Sequence, residues 1–129
     1  MDRQQQIDFI LDHYENPRHY GAIDNATMVQ KGGNPGCGDV VAFYLKLSQD
    51  GRIEDISFEG EGCTISQAGA SIVTEMFLGK TLQDVELTPA EVILDTLGRE
   101  IAATRLKCAV LGINTVKEAA RVARRNRAE

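Results

Sequence analysis

Hydrophobic and polar positions along the chain follow two periods, one helical and one extended. Ile7, Ile10, Leu11 and Tyr14 recur at i, i+3, i+4 and i+7, one stripe of an amphipathic helix. Asp2 stands where it can cap that helix. Asn16-Pro17 ends it, because the residue before a proline is pushed out of the α region. Residues 18–36 are rich in turn formers and predict an irregular connection with one short strand. Residues 40–47 (VVAFYLKL) have the β-branched and aromatic content of a strand buried on both faces. Asp50-Gly51 is a hairpin turn signal. Residues 52–59 then alternate, with Ile56 and Phe58 set against Asp55, Ser57 and Glu59, so the hairpin is predicted to have one solvated side.

Helical periodicity returns after Gly62. Thr64-Ile65-Ser66-Gln67 has the form of a capping box, and the apolar positions Ala68, Ile72 and Met76 run on to Gly79, a suitable C′ residue. Thr88-Pro89-Ala90-Glu91 predicts another helix start, with Thr88 as cap, Pro89 at N1 and Glu91 at N3. Ala90, Ile93, Leu94 and Leu97 give that helix its apolar face, and Gly98 closes it. From Leu106 onward a long helix is predicted, with a stripe of Leu106, Val110, Ile113, Val116, Ala120 and Ala123. Arg121, Arg124, Arg125 and Arg127 near its end complement the helix dipole and read as a solvated face. The pattern predicts one α+β domain over residues 1–129: a small antiparallel β-sheet of about three strands packed against several α-helices.

Composition narrows the function classes. A chain of 129 residues can bury a core without disulfide staples. The net charge of −5 argues against nucleic-acid binding, which needs a basic surface. No apolar run approaches the ~20 residues that span a bilayer, so no membrane partner is expected. Residues 1–7 are polar, without the apolar core of a signal peptide, which makes the cytoplasm the expected compartment. Three cysteines is an odd count, and in a reducing compartment all three are free thiols.

The cysteines carry the candidate chemistry. Cys37 lies between Gly36 and Gly38, which let the backbone approach a bulky centre, and Asp39 follows two residues on, pointing the same way in an extended chain. Cys63 follows Gly62 and directly precedes the predicted cap Thr64, so the helix dipole should favour its thiolate. Cys108 follows Arg105 and Lys107 near the start of the last helix, and the same argument applies to it. A free cysteine is often a small buried hydrophobe. Here the glycines and cations around the three mark a functional set instead. Asp39 alone reads equally well as a turn or capping residue. His13 and His19 have no partner at metal-site spacing and read as structural. No C-x₂-C, G-x-x-x-x-G-K-[ST] or G-x-G-x-x-G is present, which removes support for a zinc ribbon, a thioredoxin motif or nucleotide binding.

Four segments in order resemble the iron–sulfur cluster scaffold proteins of the IscU/SufU type, including the N-terminal domain of NifU. They are residues 10–18 (ILDHYENPR), 34–39 (NPGCGD), 60–66 (GEGCTIS) and 105–108 (RLKC). The resemblance covers nearly the whole chain. It implies a scaffold that accepts persulfide sulfur from a cysteine desulfurase, builds a [2Fe–2S] cluster and passes it to apo iron–sulfur client proteins. Cys37, Asp39, Cys63 and Cys108 would be cluster and metal ligands. Cys108 would be a sulfur acceptor, and Gly36, Gly38, Gly62, Arg105 and Lys107 would surround the ligands. An oxygen ligand matches cluster iron less well than thiolate, so Asp39 would keep the cluster labile. The resemblance also implies zinc at this site in the cluster-free form, a ferredoxin as electron donor, and a homodimer when the cluster is bound.

Two positions depart from the IscU branch. Lys107 stands where that branch has a histidine, as in the SufU branch, which gives Asp39 more weight as a ligand. Residues 101–107 (IAATRLK) replace the segment recognised by a dedicated Hsp70 chaperone, which argues against dependence on it. The gap between Cys63 and Cys108 is too short for the insertion typical of SufU, so the chain is intermediate between the branches. Two other functions compete with the scaffold. One is a zinc-dependent sulfurtransferase using the same four residues. The other is a thiol redox sensor, which needs two cysteines within disulfide reach.

Overall fold

In the computed structural model, which describes residues 1–36 and 38–128, Asp2 caps the first helix, α1 (Arg3–Glu15). Its carboxylate accepts from the Gln5 N–H at 2.8 Å, and the Gln5 side chain accepts from the Asp2 N–H at 3.0 Å. The Asn16 N–H closes the other end on the Asp12 carbonyl at 2.8 Å. The face that α1 buries differs from the predicted stripe. Ile10 and His13 are buried, while Leu11 and Tyr14 are exposed. The helix packs on a later helix through a polar contact at His13, and that contact turns Leu11 and Tyr14 outward.

Three antiparallel strands follow in the order β1 (Met28–Asn34), β2 (Asp39–Leu47) and β3 (Ile53–Glu61). In β2 the residues Asp39, Val41, Phe43 and Leu45 are buried, while Val40 is exposed and Ala42 and Tyr44 are half-buried. The strand is therefore buried on one face, not on both. Phe43 pairs with Phe58 and Leu45 with Ile56, which aligns the inner rows of β2 and β3. The turn at Gly51 has φ of 85° and donates its N–H to the Ser48 carbonyl at 3.1 Å. The outward side of β3 is less solvated than its alternation implies. The segment around Tyr20 pairs with Phe58, and the buried Ser57 hydroxyl donates to the Gly21 carbonyl at 2.5 Å.

Cys63 itself is the N-cap of α2 (Thr64–Phe77), with no side-chain capping bond. The predicted box at Thr64 and Gln67 does not form, because helical geometry begins one residue earlier and Gln67 points at Ser66 instead. Two short helices, α3 (Leu82–Leu87) and α5 (Arg99–Ala103), go beyond the predicted set. Thr81 caps α3 by accepting from the Asp84 N–H at 3.0 Å. Thr88 was expected to start α4 (Val92–Leu97); its hydroxyl instead closes α3 on the Asp84 carbonyl, and α4 begins after Glu91.

The last helix, α6 (Leu106–Ala128), buries Ala109, Ile113, Val116, Ala119, Ala120 and Ala123, while Leu106 is exposed. Its arginines are not merely solvated. Arg121 pairs with Glu118, Arg124 with Glu86 of α3, and Arg127 donates to the Gln49 carbonyl at the β2–β3 turn. Helices α2 and α6 cover the inner face of the sheet, α1 lies on α2, and α3 on α6. At Gly32 of β1 an added Cβ would lie 2.1 Å from the Thr115 hydroxyl, so α6 approaches the sheet as closely as glycine allows. No helix among the described residues is long and apolar enough to cross a membrane.

Candidate metal centre

Strand alternation explains why a carboxylate enters the protein at Asp39. The inner row of β2 runs Leu45, Phe43, Val41, Asp39, so Asp39 is the core row's last member, fully buried at the end of the sheet. Two chain segments meet it there. The N-terminus of α2 brings Cys63, and the first turn of α6 brings Cys108. The possible ligand atoms of Asp39, Cys63 and Cys108 all lie within 4.8 Å of one another. These residues are 24 and 69 positions apart from Asp39 in sequence, so the fold alone gathers them.

The two oxygens of Asp39 have different partners. Oδ1 accepts from the Cys63 N–H at 2.8 Å and from the Ser66 hydroxyl at 3.2 Å. Oδ2 accepts from the Cys108 thiol at 2.8 Å. Burial alone would raise the Asp39 carboxyl. The donors Cys108, the Cys63 N–H, Asn34 and Ser66 together outweigh it and hold the group below the ordinary carboxylate value. Cys108 goes the other way. Burial first, then its bonds to Asp39 and Cys63, push its thiol up to about 12. These effects run against the dipole argument for a ready thiolate at Cys108. At 2% exposure, desolvation and a neighbouring carboxylate outweigh the helix terminus. Cys108 Sγ faces Asp39 Oδ2 at 2.8 Å, across the place where a cation could sit. Cys63 is half-buried and remains the more accessible of the two sulfurs.

Cys37 lies outside the described residues. The glycines sort into distinct roles. Gly62 has φ of 150°, and an added Cβ there would lie 2.2 Å from Asp39 Oδ1, so only glycine lets the carboxylate reach its donors. Gly38 has φ of 72°, a backbone requirement, while an added Cβ at Gly36 would meet nothing within 4 Å. Arg105 and Lys107 are exposed. Lys107 joins the surroundings of the site through its backbone, whose carbonyl accepts from the Asn34 side chain at 3.1 Å. Ser66, Gln67 and Asn34 were not anticipated by the sequence reading. Ser66 stands three residues into the segment that begins at Cys63, the spacing at which a helix's first turn folds back on its cap, and that spacing was the available signal.

His13 and His19 sit away from this centre. His13 Nδ1 is 2.8 Å from the Ser71 hydroxyl, and His19 Nδ1 is 3.0 Å from the Thr74 hydroxyl, both on the middle of α2. Their placement matches the structural role read from the sequence.

The donor set of two thiols and a carboxylate in a partly dry pocket suits zinc or iron, since thiolates select these metals. The profile of the NifU-like N terminal domain matches residues 5–128. The chain is 36% identical over 112 residues to the iron–sulfur cluster assembly scaffold protein IscU 1 of Archaeoglobus fulgidus, covering 87% of this chain and 72% of that one. It is 36% identical over 116 residues to the Escherichia coli K12 scaffold protein IscU, covering 85% and 87%. Among solved structures, it superposes with a TM-score of 0.76 on a proposed cluster assembly scaffold for the SUF system from Fervidobacterium islandicum AW-1. The two are 31% identical, with coverage of 88% of this chain and 94% of that one.

Proposed function

Because the chain belongs to the family of NifU-like N-terminal domains, we propose that it is an iron–sulfur cluster assembly scaffold whose cargo is a [2Fe–2S] cluster. The observation that carries this reading is the convergence of Asp39, Cys63 and Cys108 within 4.8 Å at the sheet's end. Cys37, two positions before Asp39 in the sequence, completes the proposed ligand set. The protein acts on iron and sulfur as substrates and releases the assembled cluster to apo-proteins; it is a carrier, not a turnover enzyme.

Sulfur arrives as the terminal atom of a persulfide on a cysteine desulfurase. A scaffold thiolate attacks that atom, the desulfurase thiolate leaves, and the scaffold cysteine then carries the persulfide. Conversion of that sulfur to sulfide takes two electrons, for which a ferredoxin is the proposed donor. Cys108 is the proposed acceptor, and its buried, protonated state sets a condition. A thiol gives up its proton when it binds a metal, so in this reading metal loading also activates Cys108. Asp39 supplies an oxygen ligand that binds cluster iron less firmly than thiolate would, which suits release. A cluster-bound homodimer and a cytoplasmic setting complete the reading, and the replaced segment 101–107 argues against a dedicated Hsp70.

A second reading uses the same residues. Zinc held by Cys37, Asp39, Cys63 and Cys108 would make the protein a sulfurtransferase, with one thiolate displaced to take sulfur. The exposed Lys107, where a histidine ligand stands in the IscU branch, favours it.

Anaerobic reconstitution with iron, cysteine and a desulfurase separates the two. For the scaffold, iron and sulfide bind in equal amounts with a [2Fe–2S] spectrum, and the cluster passes to an apo-ferredoxin. Asp39→Ala then holds its cluster longer than wild type, and Cys108→Ala fails to hold one. Colourless protein that retains one zinc and accepts sulfur would overturn the scaffold reading.

A further inference from the structure

We propose that Ser66 is a positioning residue that restricts Asp39 to binding metal through Oδ2 alone. The inference rests on the metal-centre reading and concerns how that centre is held.

Ser66 is fully buried on the first turn of α2. Its hydroxyl has one proton and two acceptors within reach: Asp39 Oδ1 at 3.2 Å and the Cys63 carbonyl at 3.0 Å. One of its two lone pairs accepts from the Gln67 side-chain amide at 3.1 Å, which helps to hold the hydroxyl in place. One hydroxyl therefore bridges the segment bearing Asp39 and the backbone of Cys63, two ligands from different elements.

The bridge has a directional consequence. Oδ1 already accepts the Cys63 N–H at 2.8 Å and lies 3.2 Å from the Ser66 hydroxyl, so both of these partners come from the N-terminal turn of α2. Gly62 closes the same side, since an added Cβ there would lie 2.2 Å from Oδ1 and 2.9 Å from the Ser66 hydroxyl. Oδ2 is the oxygen that faces Cys108 Sγ, at 2.8 Å. The carboxylate thus meets the centre with one oxygen. Hydrogen bonds on the other fix its plane and draw charge from it, as partners behind a ligand do in metal sites generally. With one oxygen engaged and held, Asp39 can be detached by breaking a single bond without swinging out of its pocket.

The test uses Co²⁺ as probe, read by its thiolate charge-transfer and ligand-field bands. Affinity is measured by chelator competition in the full-length protein. Ser66→Ala is expected to weaken Co²⁺ binding by roughly tenfold, the lower end for removal of a partner behind a ligand, and to shift the ligand-field bands. Gln67→Met, which leaves the Ser66 hydroxyl free to turn, is expected to do the same to a smaller degree. In an Asp39→Ala background, Ser66→Ala is expected to change affinity less than twofold. Equal weakening by Ser66→Ala in both backgrounds would mean that it acts through the fold rather than through Asp39, and would overturn the proposal. So would unchanged affinity and spectrum in both Ser66→Ala and Gln67→Met. Wild-type protein that shows no thiolate–Co²⁺ bands would overturn the metal centre itself, a result distinct from the other two.

Discussion

Helix α2 carries two buried polar clusters, and they are built to opposite ends. In its middle, Ser71 and Thr74 face α1 and the segment after it. The Ser71 hydroxyl is 2.8 Å from His13 Nδ1 and accepts the Arg18 N–H at 2.8 Å, while His19 closes on Thr74. Outside it, Arg18 pairs with Asp12 at 2.5 Å. Every donor there meets a protein acceptor that does not leave, so the cluster is complete when the chain folds. At the N-terminus of the same helix, Asp39 is satisfied too, but one of its donors is the Cys108 thiol. That proton can be exchanged for a cation. The first cluster fastens the fold. In the second, the Cys108 thiol is the member that the proposed cargo would displace.

The comparison can be broken most sharply at Gly62. Gly62→Ala places a methyl against Asp39 Oδ1 at a backbone angle that alanine disfavours. It is expected to cost about 2–4 kcal/mol in urea unfolding, typical of forced overpacking and backbone strain, and to abolish Co²⁺ binding. Gly36→Ala, with nothing within 4 Å of its added Cβ, should change unfolding by less than about 0.5 kcal/mol.

Next comes the fastening cluster. His13→Ala leaves the Ser71 hydroxyl without its imidazole partner and opens space under α1. It is expected to lower stability by about 2 kcal/mol while leaving Co²⁺ affinity within twofold. A large loss of metal affinity in His13→Ala would show that the two ends of α2 are not independent.

The smallest effect is in pH. Burial, then the nearby Arg18 charge, holds the His13 pKa below its ordinary 6.5, against the opposing pull of Glu75 and Asp12. The folded state therefore favours neutral imidazole. Its contribution is fully present above the unfolded pKa of about 6.5 and is lost as pH falls toward the lower folded value. Unfolding measured at pH 7.5 and 5.5 should show a larger loss for wild type than for His13→Gln. An identical slope in the two would mean that His13 titrates alike in both states.

Much of this arrangement was legible in the residues, and the failures have physical causes. Long periodic segments declared their existence: α1, the β2–β3 hairpin, α2 and α6 all form where the pattern placed them. Helices α3 and α5, of 6 and 5 residues, are too short for a period to show. In α3 the cap at Thr81 and the buried Leu82 and Val85 were the signal. The stripe on α1 misled because apolar content cannot foresee that a histidine will be buried on a serine. Strand β2 read as two-sided because Val40 is apolar, yet it faces out.

At the centre, Asp39 reads equally well as a turn or capping residue, because the hydrophobic pattern starts β2 after it and buries both faces of that strand. Its inward direction shows only in the structure. That Cys63 and Cys108 meet it depends on contacts 24 and 69 residues apart, for which sequence spacing holds no information. Family resemblance supplied that grouping. The state of Cys108 could not be read at all, because a terminus that would favour thiolate was outweighed by burial that only the packed structure reveals.

The last of those separations has a consequence in biosynthesis. Cys108 is made 69 residues after Asp39. At roughly 5–20 residues per second, a nascent chain carries Asp39 for several seconds before Cys108 exists. During that interval Asp39 lacks the thiol that meets its Oδ2 in the folded protein. On the proposed ligand set, the full site therefore waits for α6 to emerge and dock, and the order of translation sets the earliest moment of loading.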